Sequence, residues 1–98
     1  MRRPLEGIRV VDFTWWRAGP WATRILSCLG AEVIKVEWPQ MPLAYYRDRV
    51  TQRQMPEGVA ATLNNNPFFS ENTVGKQSVT VNLRSPQGLD AVKRLLRV

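Results

Sequence analysis

The sequence predicts an α/β fold built on an incomplete parallel sheet, in the order β-α-β, a long excursion, then β-α. Three observations carry that expectation. Two short β-branched runs flank a segment of helical spacing, all within the length of one strand–helix–strand unit, about 30 residues. A third run alternates apolar and polar residues. It leads into a second helical pattern that opens on Ser85-Pro86. Consecutive strands joined by a helix are parallel, with a right-handed crossover.

Ile8 to Thr14 is rich in Val, Ile, Phe and Thr and reads as the first strand. Trp15 to Gly19 forms a loop, and Pro20 suits the start of a helix, where its missing N–H costs nothing. Trp21, Ile25, Cys28 and Leu29 recur at helical spacing and are expected to face the core. Gly30 stands where a left-handed cap ends a helix. Ala31 to Glu37, with Val33, Ile34 and Val36, is the second strand, closing a βαβ unit over residues 8–37.

Residues 38–66 keep neither a period of 2 nor one of 3.6 and read as an excursion, with one short helix expected near Leu43 to Val50. Gly75 punctuates the return. Gln77 to Leu83 then alternates Val79, Val81 and Leu83 against Ser78, Thr80 and Asn82 as the third strand. Ser85 caps a final helix with Leu89, Val92, Leu95 and Leu96 as its apolar stripe, so residues 77–98 are a strand plus a helix. That stripe is still running at Val98 with no polar stop, and a strand–helix pair in a parallel sheet calls for another strand. The expectation is a chain cut short of its natural length.

Composition narrows the class. The 98 residues make one small domain at most, 44% of them hydrophobic, and 14 Lys+Arg against 8 Asp+Glu give +6. The absence of histidine excludes imidazole catalysis and His-ligated metal within this chain. A single cysteine, Cys28, is expected to be inert core, and the lack of an internal disulfide fits a reducing compartment, hence a cytoplasmic location. No stretch approaches the roughly 18 to 20 apolar residues of a membrane span. Five of the basic residues and one acid fall between Lys76 and Val98, a local +4. Lys93, Arg94 and Arg97 read as a solvated face, and a small basic nucleic-acid binder ranks below an enzyme because no basic stripe or aromatic platform accompanies the charge.

The first strand-to-helix turn, Thr14-Trp15-Trp16-Arg17-Ala18-Gly19-Pro20, stands where a doubly wound sheet holds a nucleotide. It is neither a dinucleotide fingerprint nor a Walker loop. Trp15 is read as core packing, whereas Trp16 and Arg17 are read as ligand-facing. Asp12 is expected to accept hydrogen bonds from loop N–H groups rather than act as a base, and Glu37 ends the second strand where a dinucleotide enzyme places a ribose-binding acid.

The blocks Pro4-Leu5-Glu6-Gly7-Ile8-Arg9-Val10-Val11-Asp12-Phe13-Thr14, Ala18-Gly19-Pro20 and Leu29-Gly30-Ala31-Glu32-Val33-Ile34-Lys35-Val36-Glu37 resemble the N-terminus of the family III CoA-transferases. That group includes formyl-CoA transferase, carnitine CoA-transferase and 2-methylacyl-CoA racemase. A second block, Asn72 to Gly88, looks like the strand and helix that follow the family's first excursion. The resemblance implies the N-terminal part of a larger, Rossmann-like CoA-transferase fold. It also implies transfer of CoA from an acyl-CoA thioester to a free carboxylic acid, through an aspartate that attacks the thioester. Asp12, Asp48 and Asp90 do not match that aspartate's motif, so the chain is expected to lack the catalytic residue and to be inactive alone.

What carries over is part of the CoA site. The residues before Ala-Gly-Pro line bound CoA in relatives, which implies Trp16, Arg17 and Ala18 here; the end of the third strand implies Val81, Asn82, Leu83 and Arg84. The chain departs from the pattern at Trp38, where formyl-CoA transferase has an arginine, and at Lys76-Gln77, where a basic pair is usual. The resemblance further implies acyl-CoA and a carboxylic acid as substrates and a homodimer in family members of full length; no metal, nucleic-acid or membrane partner is expected. A non-catalytic remnant or a partner-dependent subunit is the alternative.

Overall fold

The computed structural model describes residues 1–38, 56–58 and 66–97. Strand β1 is Arg9–Asp12, helix α1 Ala18–Cys28 and strand β2 Glu32–Glu37. Helix α2 is Pro67–Thr73, strand β3 Lys76–Thr80 and helix α3 Pro86–Leu95. The strands form one open sheet in the order β1-β2-β3, parallel throughout. Asp12 stands opposite Lys35, and Lys35 opposite Ser78. The α/β class and the unfinished parallel sheet are as the sequence predicts.

The strands are shorter than their β-branched runs. The Thr14 N–H donates to the Asp12 carboxylate at 2.8 Å instead of to a neighbouring strand, which ends β1. At the end of β3, Val81 still donates to the Glu37 carbonyl (3.0 Å), but the Asn82 side chain then accepts from the Arg84 N–H (3.0 Å) and turns the chain toward α3. The expected strand through Leu83 therefore ends at Thr80.

Helix α1 begins two residues earlier than Pro20, which falls inside the first turn, where backbone N–H groups have no intrahelical partner in any case. Its end follows the sequence closely. Gly30 has φ +105°, its N–H donates to the Ser27 carbonyl, and the Ala31 N–H donates to the Leu26 carbonyl, the paired bonds of a Schellman cap. Helix α2 was not anticipated. Asn66 caps it by accepting from the Phe69 N–H (3.1 Å), with Pro67 as its first residue. Ser85 caps α3 by accepting from the Gly88 N–H (3.0 Å), as expected. The helix expected near Leu43 to Val50 lies outside the described residues.

Central strand β2 is buried on both faces from Val33 to Val36, so its apolar run is nearly continuous. Alternation splits the sheet into two surfaces. Asp12, Val33, Lys35 and Lys76 face α1 and α2, whereas Val11, Ile34, Val36 and Val79 face α3, whose Val92 is buried. One expectation is reversed. Trp21 and Ile25 are 49% and 48% exposed and Cys28 is exposed, not core. The face that α1 turns to the sheet is Pro20, Thr23 and Ser27, because the surface it meets there is polar.

Candidate functional site

The loop from Phe13 to Arg17 leaves the carboxyl end of β1 and enters α1, and a buried polar cluster lies beneath it. The Lys76 and Asp12 side chains are 1% and 0% exposed, with Nζ 3.0 Å from Asp12 Oδ2. Lys76 spends its other two protons on the Pro20 carbonyl (2.9 Å) and Thr23 Oγ1 (2.7 Å), and the Thr23 hydroxyl in turn donates to Asp12 Oδ2 at 2.6 Å. Asp12 Oδ1 accepts the N–H and the hydroxyl of Thr14. Every proton of the ammonium and every favourable direction of the carboxylate is used. Burial opposes ionisation of Asp12, but the bonds from Thr14, Thr23 and Lys76 outweigh it and hold the carboxyl below its ordinary value. A carboxylate so occupied is a structural acceptor, as the sequence suggested, and not a free base or nucleophile.

A second cation sits beside this cluster. Lys35 is 2% exposed; its Nζ donates to the Thr14 carbonyl at 3.0 Å and lies 4.1 Å from the Trp15 ring centroid. Phe69 of α2 closes the other side at 6.0 Å. Burial pushes the Lys35 ammonium down; the Asp12 charge pulls it back up and Lys76 presses it lower. Trp15 is half-buried in this contact, so its core reading is met in part. Trp16 follows with φ +73°, a left-handed backbone at an exposed aromatic residue, and its carbonyl accepts from the buried Asn72 Nδ2 at 2.9 Å.

Arg17 occupies the N-cap position of α1 and Ala18 its first turn; with Trp21, Glu71 and Asn72 they line an open cleft of about 380 Å³. Gly19 is required beneath them, since a Cβ there would overlap the Thr14 side chain. Val81, Asn82, Leu83 and Arg84 form the turn after β3, with Asn82 and Arg84 exposed. The Arg84 guanidinium lies 5.5 Å from the ring centroid of Trp38, at the end of β2. The two groups therefore occupy the same, carboxyl-terminal edge of the sheet, on either side of β2.

Sequence reasoning passed over Lys35, Thr23 and Asn72, and noted Lys76 only as part of a local positive charge and half of a basic pair. A lysine inside the run Val33-Ile34-Lys35-Val36 was the available signal for the first, because a charge in a doubly covered strand needs a reason. The pairing of Lys76 with Asp12 spans 64 positions and left no local trace.

A profile of CoA-transferase family III matches residues 5–98. The chain belongs to that family. It is 43% identical over 93 residues to the probable fatty acyl-CoA transferase Rv3272 of Mycobacterium tuberculosis, covering 95% of this chain and 22% of that protein. It is 38% identical over 96 residues to human succinyl-CoA:glutarate CoA-transferase, covering 98% and 20%. The crystal structure of Rv3272 superposes with a TM-score of 0.69 at 41% identity over 95% of this chain and 22% of that one. A CAIB/BAIF family protein from Brucella suis gives 0.65 at 30% identity, over 97% and 24%. This family III chain thus spans roughly a fifth of the length of the curated relatives it matches, and corresponds to an N-terminal segment of them. CoA transfer is the chemistry named for those relatives, and coenzyme A is the substrate that the family implies.

Proposed function

We propose that this chain supplies part of the CoA-binding surface of an enzyme that moves CoA from an acyl-CoA thioester to a free carboxylic acid. Trp16, Arg17 and Ala18 would line one side of the cofactor, and Val81, Asn82, Leu83 and Arg84 the adenosine and phosphate end. The observation that supports this best is the common placement of both groups at the carboxyl edge of a parallel sheet, where open α/β sheets bind their ligands. Arg84, exposed and stacked on Trp38, presents a cation where a phosphate can reach it.

The nucleophilic aspartate is not among these residues. Asp12 is fully engaged by Thr14, Thr23 and Lys76, which supports the reading that the chain does not catalyse transfer alone. Family membership motivates a homodimer in the longer enzymes, and the single cysteine a cytoplasmic setting. Titration calorimetry with CoA tests the pocket. The wild-type chain is expected to bind, and Arg84→Ala to weaken binding by roughly ten- to a hundredfold, the worth of one charge-assisted hydrogen bond. Unchanged affinity in Arg84→Ala would remove that residue from the site, and no heat with the wild type would sink the pocket.

A partner-dependent subunit is the second reading, favoured by the exposed Trp21, Ile25 and Leu29 of α1. A polypeptide that co-purifies with the chain and restores CoA exchange would select it over a non-catalytic remnant.

A further inference from the structure

Three consecutive residues of the β1–α1 loop are each held from outside the loop. Asp12 takes the N–H and hydroxyl of Thr14, Lys35 takes its carbonyl and lies against the Trp15 ring, and Asn72 takes the carbonyl of Trp16. Trp16 needs such restraint, because a left-handed backbone at a residue with a side chain persists only where its surroundings over-determine it. The restraints come from three elements: β1, which leads directly into the loop, and β2 and α2, whose groups lie 21 and 56 residues along the chain from those they hold.

The ion pair of Asp12 and Lys76 accounts for itself, since each charge compensates the other. Lys35 is different. Among the described residues its ammonium reaches one carbonyl and two aromatic rings. A methionine of similar volume would fill the same space in a doubly covered strand without desolvating a charge. What the ammonium alone provides is the bond to Thr14 and the grip on Trp15. Asn72 shows the same pattern: it is buried on α2, and its amide is directed at the strained residue.

We infer that Lys35 and Asn72 are positioning residues that fix the Thr14–Ala18 loop in the conformation that receives CoA, an inference that rests on the CoA reading above. Lys35 acts through the loop backbone from beneath; Asn72, which also lines the cleft beside Arg17 and Ala18, holds the loop through the Trp16 carbonyl. Their effect should appear in affinity and in the order of the loop, while β2 and β3 keep theirs.

The test combines calorimetry with CoA and backbone amide exchange on the wild-type chain, Lys35→Met, Lys35→Arg, Asn72→Ala and Lys93→Gln. Lys35→Met and Asn72→Ala are expected to raise the dissociation constant about tenfold, the loss of one buried hydrogen bond each. Lys35→Arg, which can still donate to Thr14 and stack on Trp15, should recover most of it. Lys93→Gln removes the same charge from an exposed helix face and should bind as the wild type does. Amides from Thr14 to Ala18 should exchange faster in the two weakened variants, with Val33 to Val36 still protected. If Lys35→Met does not fold, faster amide exchange from Thr14 to Ala18 in Asn72→Ala decides, because loss of a direct ligand contact alone would leave the loop amides as protected as in the wild type. Wild-type affinity in the folded variants, or protection lost evenly across β2 and β3, would overturn the positioning role. A wild-type chain that binds no CoA would instead overturn the CoA reading on which it rests.

Discussion

The two surfaces of the central sheet are fastened to their helices by different means. Toward α1 and α2 the contacts are polar: Asp12 accepts from Thr23, Lys76 donates to Thr23 and the Pro20 carbonyl, Lys35 donates to the Thr14 carbonyl, Ser27 donates to the Gly75 carbonyl and Asn72 to the Trp16 carbonyl. Toward α3 the surface is apolar: Val11, Ile34, Val36 and Val79 face a helix whose Val92 is buried and whose Leu95 lines clefts together with Val11 and Val79. Apolar contact is non-directional and tolerates small shifts, so it holds a helix on a sheet without fixing any one atom. A satisfied polar cluster specifies donor and acceptor positions to within a hydrogen bond. The sheet uses the second kind under the loop that carries Trp16 and Arg17, and the first kind beneath α3, where the candidate Val81 lines the same apolar surface as Val79 and Leu95. The polar surface is where position matters.

The largest expected effect breaks that comparison most directly. Lys76→Met leaves a buried carboxylate without its cation and should cost about 3–5 kcal/mol. On the opposite surface Ile34→Val removes one methylene from a packed site and should cost about 1 kcal/mol. Urea denaturation of both variants measures the contrast. Equal losses would mean that the polar cluster is no more demanding than the apolar layer. Adding Asp12→Asn to Lys76→Met should recover part of the loss, because the stranded charge is then gone.

How far the sequence anticipates these two surfaces differs as well. The α3 side was legible in outline: Val79 and Val81 alternate, Ser85-Pro86 announces a helix, and Val92 is buried where the stripe predicts, although Leu89 and Leu96 of that stripe are 43% and 61% exposed. Such patterns are local, and burial of apolar groups is all they need. The α1 side misled. Trp21, Ile25 and Leu29 make a convincing apolar stripe, yet the helix turns Thr23 and Ser27 inward, because Ser27 Oγ donates to the Gly75 carbonyl (2.8 Å) and Thr23 joins Asp12 to Lys76. Periodicity cannot rank a polar inner face above an apolar one when the partners lie some 50 residues away. Helix α2 escaped for a related reason: its cap, Asn66, was the last letter of a polar run and read as loop. Asp12 was read correctly because its acceptor role depends on Thr14, two residues on.

A smaller and sharper test uses pH, since among the described residues the buried charges, Asp12, Lys35 and Lys76, lie on the polar surface. The Lys35 ammonium is held below its ordinary value by burial. The unfolded chain then binds more protons than the folded one between that lowered value and about 10.4, so Lys35 adds stability as pH rises through this window. Urea denaturation of the wild type and Lys35→Met across the alkaline range should show the wild type gaining relative to the variant. A flat difference would mean that the ammonium is not desolvated. Asp12 works at the other end. Burial opposes its ionisation, but the hydrogen bonds win and the folded value is lowered; its stabilisation is therefore present above about pH 3.9 and is lost as pH falls through the folded value.

The smallest expected effect completes the contrast, because it concerns the same chemistry outside the polar layer. Arg94 and Asp90 pair across one turn of α3 at 3.7 Å, with side chains 73% and 67% exposed. Water screens that attraction, and ordering two long side chains offsets much of what remains. Asp90→Asn keeps the shape, removes the pair, and should change stability by less than about 0.5 kcal/mol. Lys76 and Asp12 are also a cation and a carboxylate near hydrogen-bond distance, so the difference between the two variants measures what burial adds. A loss in Asp90→Asn approaching that of Lys76→Met would mean that α3 depends on directional contacts after all. The division of the sheet into a positioning surface and a packing surface would then fail.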